Sequence, residues 1–328
     1  MIVEHPEVPD HLVGAAVQRA WGLAVTAVQR VDVGGDAWHW VVGDDGGPQW
    51  FATLDEAVTP DEVRSRVAAY AAAARLAQRL PFVVAPVATR EEGIAVVPAR
   101  GLLLTVAPYL EGTVVGPAAH LDDDERSVLA TMLARLHAQP RPPGLPSWRV
   151  RVGRTPHAQR EDLERCLAEE TWSDGPWAGP AGRLVHDARP VLVAALRRLS
   201  LLGAAVAGSA ERWVLTHGET HAGRLLRTPD GHRLVGWGSA AVAPRERDLV
   251  DALAQAETDD PWYAYVEAGG PVEPLSADTV ALFVLERRLA RVTQYAARLA
   301  RPHEDTADER RCFGRLEEEL AALVDGWS

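Results

Sequence analysis

The stretch "WVLTHGETHAGRLLRTPDGHRLVGWGSAAVAPRERDLV", residues 213–250, decides how the rest of the chain is read. Short apolar runs broken by Gly, Pro and Asp predict strand, turn, strand, turn, strand, followed by a helix from about residue 246. Polar residues gather at the first turn, where His217, Glu219, His221 and Arg224 fall within 217–224. The stretch 236–238, by contrast, offers only Gly236 and Gly238 around Trp237. Histidines, a carboxylate and a guanidinium on one loop after a strand have the make-up of an active site. The glycines raise the question of whether it is a former one.

Upstream, the pattern is first β-rich and then helical. Residues 12–20 have helical periodicity. The segment "TAVQRVDVGGDAWHWVVGDDGGPQWFATLD", 26–55, reads as strands turning at Gly34-Gly35 and at 44–47. "DEVRSRVAAYAAAARLAQRL", 61–80, reads as an Ala-rich helix with Thr59 as N-cap and Pro60 at its first position. Three apolar runs, "FVVAPVAT", "GIAVVPAR" and "GLLLTVAPYL", predict further strands. Beyond "APYLEGTVVG" the chain becomes helical. "LDDDERSVLATMLARLHAQ" carries acids in its first turn and a histidine near its last, as the helix dipole favours. More helices are expected near 158–170, 184–203, 246–256, 276–301 and 306–326, with loops at 139–148 and 171–183. The fold class is α+β, and the domain reading is 1–106, a connector at 107–112, and 113–328.

Composition removes several function classes. At 328 residues and 47% hydrophobic the chain can bury a large core. It has no run of 18 apolar residues and no basic-then-apolar leader, so a cytoplasmic protein without a membrane span is expected. A net charge of −12 disfavours nucleic acid and anionic lipid as partners. Two cysteines, Cys166 and Cys312, lie far apart without metal-ligand spacing. All 34 basic residues are arginine, and the chain has no asparagine. That bias fits a GC-rich coding sequence. It also excludes any mechanism that needs a lysine or an asparagine from this chain, because their geometries are not those of Arg or Asp.

A β-rich lobe, an apolar connector and a helical lobe bearing "HGETHAGR", "GWG" and "APRERDL" resemble the aminoglycoside phosphotransferase/choline-kinase-like family, most closely its spectinomycin phosphotransferase-like branch. "GGD" at 34–36, "APYLEG" at 107–112 and "LARLHA" at 133–138 fit that family's phosphate-loop hairpin, hinge and first C-lobe helix. The resemblance implies a bilobal protein-kinase-like fold and phosphoryl transfer. That reaction needs a cation on the donor phosphates, metal ligands, and a base that orients the attacking hydroxyl.

Set against the family pattern, this chain departs at each of those positions. The third-strand lysine falls on Thr53, a neutral hydroxyl. The base is Glu219 in place of Asp, whose extra methylene moves the carboxylate by roughly an ångström or more, enough to harm a positioned reaction. The metal-binding Asn position is Arg224, the metal-binding Asp position is Gly236, and Gly238 stands at the second carboxylate. Arg247-Asp248-Leu249 keep the residues that, by the resemblance, brace the catalytic loop. The expectation is therefore a pseudokinase with no Mg-ATP cofactor, binding a small molecule, a peptide or a partner protein.

Two alternatives stay open: a divergent phosphotransferase with Glu219 as base, and a different chemistry in the same cleft. Glu219 and Arg224 are expected either to satisfy each other as an ion pair or to leave Arg224 as a fixed cation for an anionic ligand. His221 is a further candidate catalytic residue. His217 and His221, although spaced i, i+4, sit in a loop and are not expected to ligate metal. Gly34, Gly35 and Thr53 mark the altered nucleotide site, with the glycine pair equally readable as a plain hairpin turn. Trp38 is a candidate ligand contact or a packing residue. In "ETDDPWYAYVEAG", Asp259, Asp260, Trp262 and Tyr263 lie where the family receives cationic substrates, or else form a solvated loop around a buried Trp.

Overall fold

The computed structural model describes residues 8–31, 33, 37–57, 59–99, 101–114, 121–150, 163, 165–168, 172, 174–253 and 256–326. The expectations for Gly34, Gly35 and Asp36, and for most of the helix at 158–170, fall outside the described residues. In chain order the elements are α1 (Asp10–Trp21), β1 (Ala27–Val31), β2 (Trp38–Asp44), β3 (Gly47–Glu56), α2 (Pro60–Ala77), β4 (Leu102–Pro108), β5 (Thr113–Val114) and α3 (Asp123–His137). Then follow α4 (Ala178–Asp187), α5 (Arg189–Ala207), β6 (Val214–Thr216), β7 (Leu225–Thr228), β8 (Gly231–Leu234), β9 (Ala241–Ala243), α6 (Glu246–Leu253), α7 (Asp260–Glu267), α8 (Ala277–Leu299) and α9 (Ala307–Asp325). They form two compact units, Met1–Ser147 with Trp213–Glu273, and Trp148–Arg212 with Pro274–Ser328.

In the first unit, β1-β2-β3-β4 make an antiparallel sheet in sequence order. Because side chains alternate along a strand, Trp40, Val42, Ala52, Leu54, Leu104 and Val106 share one face, and Val13, Val17 and Trp21 of α1 pack on it. His39, Thr53, Asp55 and Thr105 belong to the other face. The pairing Trp40↔Ala52 and His39↔Thr53 fixes this division, since a slip of one residue would exchange the faces. Two smaller sheets, β5-β7-β8 and β6-β9, carry the 213–250 stretch.

Helix starts follow local chemistry. Thr59 and Glu62 form a reciprocal capping box at α2, with Pro60 in its first turn. Asp122 and Glu125 do the same at α3. In the second unit, α5 is long and apolar enough to cross a membrane by length and composition alone. Its Leu192, Ala195 and Leu199 are fully buried, at the spacing of one helix face.

Several expectations are corrected. "FVVAPVAT" and "GIAVVPAR" are not strands: Val83 and Val96 each make only an isolated bridge, to Leu234 and Leu104. Their apolarity reflects burial, as at Phe82, Val83 and Ala85, and proline cannot donate to a ladder. The Gly/Pro-rich stretch 171–183, read as a loop, contains the start of α4. Pro180 lies in that helix's first turn, where the missing N–H costs nothing. The single helix expected over 184–203 is instead divided at Ala188 between α4 and α5. The acidic stretch 257–269 is largely helical, with Pro261 opening α7. The third strand of the 213–250 stretch, β8, ends at Leu234. Gly236, at φ +81°, turns the chain out of the ladder into a 3-10 turn at Trp237–Ser239.

Candidate active site

The loop after β6 is held by one buried carboxylate. Asp248, on α6, accepts the backbone N–H of His217 at 2.8 Å and of Gly218 at 2.7 Å. His137 Nε2 lies 3.1 Å from the same group, and His137 Nδ1 lies 2.9 Å from the Tyr265 hydroxyl. Thr220 donates to the Asp248 carbonyl at 2.7 Å. Burial pushes the Asp248 carboxyl upward, but the hydrogen bond from His137 and nearby positive charge outweigh it and hold the group below the usual carboxylate range.

His217 has no exposed surface. Its Nδ1 accepts the Glu219 N–H at 3.2 Å, and its Nε2 donates to the Val235 carbonyl at 3.0 Å. This pattern requires the neutral ring, and burial draws its pKa down to about 4 against the pull of Asp248. The ring packs edge-on to Trp237, at 4.6 Å between centroids. These contacts join the loop to the 236–239 turn.

On that frame sit the candidate catalytic residues. Glu219 forms an ion pair with Arg224 through one carboxylate oxygen. Its other oxygen accepts the Ser239 hydroxyl at 2.5 Å. Burial pushes the Glu219 carboxyl up, but the Arg224 charge and the Ser239 hydrogen bond prevail, and it stays well below the usual carboxylate range. Both side chains of the pair keep about a third of their surface in solvent.

Arg224 also covers Gly236, where a Cβ would stand 2.6 Å from its Nη1. Its Nε–H is buried with no acceptor among the described residues. His221, exposed at the surface, caps the short turn at Ala222–Arg224 by accepting the Gly223 N–H at 3.2 Å.

Around this pair lies a second set of residues that the sequence reading missed. Asp55 lies two residues after Thr53 on the same face of β3. Tyr70 of α2 donates to it at 2.5 Å, and Arg66, one turn earlier on α2, pairs with it at 2.7 Å. Burial and then the Asp55 charge raise the Tyr70 phenol well above its ordinary value, so it stays protonated and a donor. A Cβ at Gly238 would lie 2.9 Å from the Tyr70 hydroxyl. The only local signal for this set is the i, i+4 spacing of Arg66 and Tyr70, which gives one face but not the partner.

The remaining sequence candidates scatter. Thr53 places its hydroxyl 3.2 Å from His39 Nδ1, with that ring stacked on Phe51. Trp38 belongs to the α1 side of the sheet, partly buried and packed against the core. Asp259 and Asp260 are exposed at the start of α7, and Tyr263 is 57% exposed. Trp262 stacks on Tyr265 at 5.8 Å, with the Arg245 guanidinium over its face at the same distance.

A strand-loop-strand bearing a braced His-Gly-Glu loop, beneath an antiparallel sheet with a helix beside it, defines a phosphotransferase-type scaffold. Residues 28–283 match the phosphotransferase enzyme family (APH), and the chain belongs to that family. Protein StrN of Streptomyces griseus is 26% identical over 223 residues, covering 65% of this chain and 64% of StrN, so the match spans less than two thirds of that relative.

Among solved structures, spectinomycin phosphotransferase APH(9)-Ia in complex with ADP and spectinomycin is similar with a TM-score of 0.70 and 13% identity, over 97% of this chain and 98% of that one. A microcompartment-associated aminopropanol kinase gives 0.62 and 15%, over 96% and 97%. At these identities the likeness establishes the fold, an α+β kinase-like one.

Against that family's cofactor, the residues present do not fit. A divalent ion requires oxygen ligands. The positions that the resemblance assigns to them hold a guanidinium, Arg224, lying over one glycine, and a phenol, Tyr70, against another.

Proposed function

We propose that this chain is a catalytically silent phosphotransferase-family protein that binds a small molecule, a peptide or a protein partner at the 217–239 loop without Mg-ATP. The observation that carries this reading is the Glu219–Arg224 ion pair lying over Gly236. The pair sets a guanidinium over Gly236, which supports the absence of a bound metal there, and it engages the Glu219 carboxylate that the family pattern puts at the base position. A carboxylate held by a guanidinium and a hydroxyl is a poor proton acceptor at neutral pH, which weighs against the divergent phosphotransferase. Arg66 and Asp55 balance each other as Arg224 and Glu219 do, so these four charges add no net attraction for a triphosphate.

The buried, unpartnered Nε–H of Arg224 supports the version in which this arginine receives a carboxylate or phosphate of the ligand directly. The family's small-molecule relatives and the arginine-rich composition favour a role in natural-product biosynthesis or resistance.

Calorimetric titration of the full chain with ATP, with and without Mg²⁺, is the test. The expected result is no metal-dependent binding. Metal-dependent nucleotide binding of millimolar affinity or better would overturn the reading in favour of a transferase that uses Glu219.

A further inference from the structure

Gly236 and Gly238 are small for different reasons, and the second reason reaches beyond the loop. Gly238 faces α2. The Tyr70 hydroxyl lies where a side chain at position 238 would begin, and its ring carbon Cζ is 3.4 Å from that point. Asp55 on β3 fixes the hydroxyl, and Arg66, one helical turn before Tyr70, holds the other oxygen of Asp55. The next residue along the turn, Ser239, donates to Glu219, which carries Arg224. A chain of neighbouring contacts therefore runs from β3 through α2 to the turn and on to the loop, with charges of both signs paired along it.

We propose that Tyr70 is a metal-free latch. Its hydroxyl, clamped by Asp55, seats α2 against the Trp237–Ser239 turn and thereby holds the Glu219–Arg224 loop in place before any ligand binds. This goes beyond the reading above and holds whichever ligand the loop receives. It also gives Gly238 a positive role, as the residue that leaves room for the latch.

The test uses the full chain. Gly238→Ala must push the Tyr70 hydroxyl aside, whereas removing that hydroxyl leaves an ordinary contact to the ring. Gly238→Ala is expected to lower Tm by roughly 3 °C or more in the native background, and by less than about 1 °C in a Tyr70→Phe background. Equal losses in both backgrounds would overturn the latch.

Hydrogen exchange gives a separate reading that a merely structural role would not move. In Tyr70→Phe, amides of 217–224 and 237–239 are expected to exchange about tenfold faster while those of α8 and α9 keep their rates. No acceleration in the loop, or a parallel rise in α8 and α9, would count against the proposal. If Tyr70→Phe does not fold, the same exchange measurement on Gly238→Ala decides it, by whether acceleration is confined to those two segments.

Discussion

The Asp248 brace and the Glu219–Arg224 centre of the 213–250 stretch lie close together and differ in how they are bonded. At the brace, Asp248, itself fully buried, accepts two backbone N–H groups and a hydrogen bond from buried His137, so every partner is fixed by the fold itself. At the centre, Glu219, Arg224 and Ser239 bond mainly to one another and keep contact with solvent. A side chain that satisfies backbone donors cannot be exchanged without unpairing them. Side chains that satisfy each other can be replaced as a set. Among the described residues the bracing contacts of the 217–220 loop are therefore kept, while positions 224, 236 and 238 hold arginine and glycine.

The comparison can be broken most forcefully at the brace. Asp248→Ala leaves two backbone donors and His137 without their acceptor and is expected to cost about 4 kcal/mol in urea denaturation. A loss below about 1 kcal/mol would mean that the brace is not what holds the loop.

His217 offers a pH-resolved version. Its folded pKa, about 4, lies below the unfolded value of 6.5, so the unfolded chain binds the extra proton first. Stability should fall by about 3 kcal/mol as pH drops from 6.5 through 4. His217→Gln should flatten that window when urea midpoints are measured across it.

A smaller effect is expected at the centre. Gly236→Ala places an L-residue at φ +81° and displaces Arg224, at a cost of about 1 to 2 kcal/mol. Smallest of all, Tyr263→Ala on the exposed side of α7 should change stability by less than about 0.5 kcal/mol. A larger loss by thermal melting would show that Tyr263 packs in the folded chain.

Legibility in the sequence followed the range of the interaction. The N-cap at Thr59, the acidic first turn of α3, the hairpin after Arg224 and the helix near 276–301 depend on neighbours a few residues apart, and all were readable. The misread elements share one cause, because proline and glycine mark breaks only when their position within an element is known. In "FVVAPVAT" apolarity marks burial and not pairing, and in 171–183 Pro180 marks the first turn of α4 and not a loop. The ion pair of Glu219 and Arg224, five residues apart, was foreseen as one of two outcomes. Asp55, Arg66 and Tyr70 were not, because their meeting with the loop spans more than 150 positions.

The sequence by itself determined the family pattern, the absent lysine and asparagine, and the glycines at 236 and 238, since these are identities that need no geometry. Only the tertiary structure decided what lies against those glycines. A missing side chain makes room without specifying its occupant. Here it is a guanidinium from the same loop over Gly236 and a phenol from α2 against Gly238, brought there by the packing of distant elements.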